Sequence, residues 1–209
     1  MKIGAIVNAA NKYMLGCFTV GFVIFFFLVF LFEKFFKNKS HKCIDNVIHA
    51  AAGFRLREAC MELMNEQKHL EETGECKVTK AFCLPSEHVL VCFSQKKTFF
   101  EIEFWEKHTV GPIIDEGEQV SEEKASLLSS CYRKCLETCS EKGIRSISFC
   151  CISTGVFRYP KTEAAKVALS TVREWLLNSE NHSKVDFIVF NTFTLEDTQT
   201  YEKLIHSFF

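Results

Sequence analysis

The chain has 209 residues, a formal net charge of −1 and 47% hydrophobic residues. That length favours one domain with a buried core, the apolar content excludes general disorder, and the near-neutral charge supplies no basic field for nucleic acid. The 11 cysteines are odd in number, lie mostly inside apolar or helical stretches, and follow no clean secretory leader, so most read as buried reduced thiols of a cytoplasmic protein.

In chain order, Ile3–Val7 predicts a buried strand that ends in Asn8-Ala9-Ala10-Asn11. The uncharged run Met14–Phe32 approaches the roughly 20 residues a membrane-spanning helix needs, and Lys34, Lys37 and Lys39 follow it. Membrane contact is expected only through residues 14–32, yet a true span would put the first strand on the wrong side of the membrane from its sheet. Ile44–Gln67 predicts one helix with Ile48, Ala52, Leu56, Cys60 and Leu63/Met64 along a face. Lys77–Phe82 and His88–Val91 predict strands. Glu122–Gly143 predicts a helix that stops at a glycine, with Leu127, Leu128, Cys131, Cys135 and Leu136 along one side. Ser146–Cys151 predicts a strand, Thr162–Leu177 a helix, Val185–Phe190 a strand and Leu195–Ser207 a last helix. Alternating strands and helices imply a mostly parallel sheet covered on both faces, with ligands expected beyond the carboxyl ends of the strands.

Two of those ends are rich in small residues. The first strand runs into Asn8-Ala9-Ala10-Asn11, and the Ser146–Cys151 strand into Ser153-Thr154-Gly155-Val156-Phe157. Small residues let backbone amides approach an anion, and a following helix adds its positive end. Either loop alone also reads as an ordinary strand-to-helix turn; two beyond one sheet edge favour a phosphate-bearing ligand. His49, four residues after Asp45, shares its helix face and is expected to pack and hydrogen-bond in the core. Cys131, Cys135 and Cys139 are expected on a packed helix face, Trp175 in the core, and Arg55 and Arg57 in solvent or paired.

Ala5-Ile6-Val7-Asn8-Ala9-Ala10-Asn11, Ile44-Asp45-Asn46-Val47-Ile48-His49, Ala51-Ala52-Gly53, His108-Thr109-Val110-Gly111-Pro112 and Ser153-Thr154-Gly155-Val156-Phe157 together resemble the macrodomain family. Leu15-Gly16-Cys17-Phe18, with His41-Lys42-Cys43 later, looks like its zinc-dependent branch, which removes ADP-ribose from proteins. The resemblance implies a three-layer α/β/α sandwich with a mostly parallel mixed sheet, N-terminally truncated, and an ADP-ribose cleft at the strand ends. It implies that Ser153, Thr154, Gly155, Val156 and Phe157 hold the diphosphate, with Phe157 near the distal ribose. Asn8 and Asn11 would shape that ribose end, Asp45 would bond the ribose or a water, and Asn46 would be a further ligand-binding residue. Asp45 and Asn11 are then the catalytic candidates, and Cys17, His41 and Cys43 the Zn2+ ligands. A Cys/His/Cys set leaves a fourth position open, as a catalytic zinc needs.

The chain departs from the family pattern in three places. The family's upstream sheet residues and adenine-binding aspartate are expected to be missing. Residues 18–40 separate Cys17 from His41, and residues 91–107 interrupt a strand, so a single macrodomain over 1–209 carries two insertions. Of 22 phenylalanines, 9 fall in 18–40 and 4 in 91–107, a bias expected of translated introns. The implied function is zinc-dependent hydrolysis of ADP-ribose from modified proteins. The alternatives are a binding module for ADP-ribose or ADP-ribosylated protein without turnover, an inactive fragment if both insertions are retained, and a membrane-anchored protein.

Overall fold

The computed structural model describes residues 3–10, 43–67, 76–92 (only the backbone of Cys92), 112–155 and 157–209. In chain order these form β1 (Ile3–Ala9), α1 (Ile44–Ala52), α2 (Phe54–Gln67), β2 (Cys76–Lys80), β3 (Ser86–Cys92), α3 (Glu122–Glu141), β4 (Ser146–Cys150), α4 (Lys161–Leu176), α5 (Ser179–His182), β5 (Phe187–Asn191) and α6 (Leu195–Ile205). Every strand read from the sequence is present, with ends moved by a residue or two.

One five-stranded sheet has the order β2-β3-β1-β4-β5. β1 runs parallel to both β3 and β4, and β4 parallel to β5; only β2 is antiparallel, against β3. The mixed, mostly parallel sheet matches the expected fold. Its layers follow from handedness. The chain moves from β1 to β3 by way of α1 and α2, then returns past β1 to β4 by way of α3. Crossovers of one hand in opposite directions put α1 and α2 on one face and α3 on the other. The step from β4 to β5 continues the second direction, so α4 joins α3, against which it packs.

Alternation along β1 matches these layers. Ala5, Val7 and Ala9 are buried at every second position, while Asn8, also buried, bonds to α1 on the opposite face. Gly4 lets β1 approach β4 closely: a Cβ there would stand 3.0 Å from both Ile144 Cγ2 and the Ser146 carbonyl. The apolar interior is continuous through α3, β4, β5 and α6. Tyr132 and Phe149 have ring centroids 5.0 Å apart, Phe149 and Phe190 6.2 Å, and Phe190 and Tyr201 5.2 Å. Offset contacts of this kind add to the burial of each ring.

The expected single helix 44–67 is two helices. Gly53, at φ +82°, ends α1 by donating its amide to the His49 carbonyl, and α2 restarts at Phe54. Ile48, Ala52, Leu56 and Cys60 are buried across the break, whereas Leu63 and Met64 are half-buried. The short α5 has no counterpart in the sequence reading.

Cys60, Cys131, Cys135, Cys139 and Cys150 are buried, and no disulfide occurs among the described residues. Trp175 is in the core, 5% exposed. Val91 and Cys92 complete the pairing of β3 with β1, and the rest of 91–107 lies outside the described residues, as does all of 18–40. The Met14–Phe32 run lies outside them too; among the described residues no helix is long and apolar enough to cross a membrane.

Candidate functional site at the switch point of the sheet

β1 lies between β3 and β4, where the chain reverses its direction of travel across the sheet. A crevice opens beyond the carboxyl end of such a strand, because the flanking helices leave on opposite faces. Asn8, Ala9 and Ala10 end β1 here, and all three are buried.

On one side stands the first turn of α1. The Asn8 Nδ2 amide donates to Asp45 Oδ1 at 2.9 Å, both side chains being buried. His49, one turn on, places Nε2 3.4 Å from the same carboxylate oxygen. Burial raises Asp45 to about 7; the Asn8 bond opposes that rise, Cys43 adds to it, and the Arg57 charge opposes it. Burial lowers His49 to about 4, with Arg57 pushing the same way. The imidazole is therefore neutral at neutral pH and the contact is no ion pair, while the carboxyl is poised to take up or release a proton. Among the described residues, Asn8 Oδ1 and His49 Nε2 are buried without a hydrogen-bond partner. Such atoms are costly in a finished core and are common where a ligand docks.

On the other side is the loop after β4. Ser153 is buried and held at φ +67°, outside the range most residues adopt without strain. The Thr154 hydroxyl donates to the Cys151 carbonyl at 3.0 Å, and the Tyr159 amide to the Ser153 carbonyl at 3.1 Å. The Phe157 carbonyl accepts from Ile114 at 2.9 Å, which fixes the far end of the loop. Gly155 is exposed, and among the described residues a Cβ on it would meet nothing within 4 Å. Among the described residues no backbone carbonyl accepts from the Gly155 or Phe157 amide. The loop then enters α4 at Pro160, so it stands ahead of a positive helix end, an arrangement suited to phosphate.

Of the site residues read from the sequence, Asn8, Asp45 and Asn46 are gathered at the end of β1. Ser153, Thr154, Gly155 and Phe157 follow the adjacent strand β4. Asn11, Val156, Cys17 and His41 lie outside the described residues. Of the metal donors only Cys43 is described: it precedes α1 in extended conformation, half-buried, and its side chain does not cap the helix. Two thiols with an imidazole are a sound donor set for zinc. Among the described residues alone, no three ligating side chains form a metal cluster. Asn8 acts on Asp45 directly, in addition to the ribose role expected of it. Arg57, expected in solvent or paired, is half-buried, and its charge acts on both Asp45 and His49. A spacing of 12 positions across a helix break gives no periodic signal for that influence.

Two further clefts lie away from this edge. One of about 460 Å³ is lined by Arg133, Glu174 and Trp175, and one of about 290 Å³ by Phe187, Ile205 and Phe209. Neither gathers the polar groups found at the end of β1.

Comparison with known proteins agrees with this fold. The family model of the Macro domain matches residues 7–98 and 107–168. A protein-ADP-ribose hydrolase of Treponema medium is 40% identical over 205 residues, covering 98% of this chain and 63% of that protein. A protein-ADP-ribose hydrolase of Staphylococcus aureus (strain MRSA252) is 36% identical over 203 residues, covering 97% of this chain and 61% of its own length. The chain thus spans a little over three fifths of these relatives. The Oceanobacillus iheyensis macrodomain with ADP superposes with a TM-score of 0.71 at 30% identity, covering 99% of this chain and 85% of that one. The Trypanosoma brucei macrodomain in complex with ADP-ribose gives 0.67 at 31% identity, covering 98% and 64%. With the family match spanning most of the sequence and the fold shared with solved members, this chain belongs to the macrodomain family.

Proposed function

We propose that the chain removes ADP-ribose from modified proteins, in a cleft bounded by the first turn of α1 and the 153–157 loop. The carrying observation is the buried Asn8–Asp45 pair at the switch point, whose carboxyl titrates near 7. Hydrolysis breaks the bond between the anomeric carbon of the ribose and the protein side chain; water supplies hydroxyl to the sugar and a proton to the leaving side chain. A carboxyl with that affinity can hold and accept a proton from a water near neutral pH, and the Asn8 amide fixes its orientation. The small residues Ser153, Thr154 and Gly155 at the strand end are suited to the diphosphate. Relatives named protein-ADP-ribose hydrolase support turnover over mere binding.

Cys17, His41 and Cys43 would hold a zinc ion at the start of α1. Bound there, it would act as a Lewis acid and lower the pKa of a bound water. Residues 1–209 form one macrodomain in this reading, interrupted by the insertions 18–40 and 91–107. A cytoplasmic protein with abundant reduced thiols fits it as well, and any membrane contact would be confined to residues 14–32.

The test is release of ADP-ribose from an ADP-ribosylated protein, before and after treatment with a chelator, with metal content measured by mass spectrometry. Release that is lost on chelation and restored by zinc is expected. Tight ADP-ribose binding without release by the zinc-loaded protein would overturn the hydrolase and leave the binding module, which the diphosphate loop alone could serve.

A further inference from the structure

Cys76 opens β2, half-buried, and its Sγ lies 3.7 Å from that of Cys135 on the buried side of α3, 59 positions along the chain. Because β2 is antiparallel, its start lies at the carboxyl ends of β1 and β3. Cys76 pairs in register with Cys92, and Cys92 with Ala9. The two thiols therefore sit level with the end of β1, on the α3 face of the sheet. Cys139, one helical turn beyond Cys135, is buried too, and burial pushes its thiol up to about 12, with Cys76 adding to the rise.

We propose that Cys76 and Cys135 form an oxidisable dithiol, a modification site at which a hydroperoxide installs a disulfide between β2 and α3. The half-exposed Cys76 is the sulfur an oxidant reaches. Its sulfur attacks the peroxide: the O–O bond breaks, an S–O bond forms, and the thiol proton leaves with the departing oxygen as alcohol, or as water from hydrogen peroxide. Sulfur is oxidised to the sulfenic acid and the peroxide is reduced. The Cys135 sulfur then attacks the sulfenic sulfur: an S–S bond forms, the S–O bond breaks, and hydroxide leaves with the Cys135 proton as water. This second step is intramolecular between atoms already adjacent, so burial of Cys135 does not hinder it. The bridge ties the edge strand to α3 beside the ligand end of the sheet, and thiols reverse it.

The test treats the purified full chain with limiting hydrogen peroxide, alkylates the remaining thiols, and maps peptides after trypsin and glutamyl endopeptidase. A cut after Glu137 separates Cys135 from Cys139, and a cut after Lys77 isolates Cys76 from Cys92. The expected product is a Cys76 peptide linked to the Cys135 peptide, lighter by two hydrogens and released by dithiothreitol. The oxidised protein should melt at a higher temperature, since the bridge restricts the unfolded chain. In Cys135→Ala, or in Cys135→Ser if the first folds poorly, dimedone should trap Cys76 as its sulfenic acid. A bridge from Cys76 to Cys92 or Cys139, or oxidation of the exposed Cys83 with Cys76 untouched, would overturn the proposal.

Discussion

Asp45 and Asp197 are both buried, and the protein treats them in opposite ways. Asp197 belongs to the capping box of α6: it accepts from the Thr194 amide at 2.9 Å and from the Thr194 hydroxyl at 2.7 Å, and Lys161 Nζ stands 3.1 Å away. Burial alone would raise its pKa, yet the Thr194 bonds and Lys161 hold it below the usual carboxylate value. Asp45 receives the Asn8 amide and faces a neutral imidazole, and burial wins, raising it to about 7. One carboxylate is charged and structural; the other is held near its point of titration at the switch point of the sheet. Buried carboxyls tuned toward neutrality cluster at sites of chemistry, and fully satisfied ones at sites of stability.

The largest expected effect that would break this contrast is on turnover. Asp45→Asn retains shape and the contact with Asn8 but cannot accept a proton; release of ADP-ribose should fall roughly 10²–10⁴-fold. The same variant sharpens the contrast in stability. In the wild type the folded pKa of Asp45 is raised, so its contribution is most favourable below about 3.8 and is lost as pH rises through about 7. The depressed pKa of His49 works the other way: its contribution is full above about 6.5 and lost as pH falls toward about 4. In chelator-treated protein, the melting temperature of Asp45→Asn minus that of the wild type should therefore climb between pH 4 and 7. A flat difference would show that Asp45 is not raised.

Asp197→Ala should do the reverse, losing stability and sparing chemistry. It removes the capping-box carboxylate while Lys161 keeps Glu196 and Thr194 as partners, a cost of roughly 1–2 kcal/mol in denaturant unfolding, with turnover per folded molecule unchanged. The smallest expected effect is at the loop. Gly155→Ala adds a methyl group that meets no neighbour among the described residues, so the melting temperature should stay fixed. Affinity for ADP-ribose should fall about tenfold, near 1.4 kcal/mol, where the methyl group crowds the diphosphate.

Much of the fold was legible because alternation and β-branched runs mark buried strands, and all five strands of the sheet were readable. The break at Gly53 was not, because Ile48, Ala52, Leu56 and Cys60 continue one buried row across it. The four-residue α5 is too short to show a period. At the site, the pairing of Asp45 with His49 follows from helical spacing, whereas the Asn8–Asp45 bond joins residues 37 positions apart. The left-handed backbone at Ser153 has no residue-type signature, since glycine or asparagine is the usual occupant there.

The most direct measurement is hydrogen exchange of the chain with and without saturating ADP-ribose. A ligand held between the first turn of α1 and the loop after β4 should slow exchange in residues 44–49 and 153–159 together. Protection confined to the cleft lined by Arg133, Glu174 and Trp175, or absent from both segments, would contradict a cleft at the switch point.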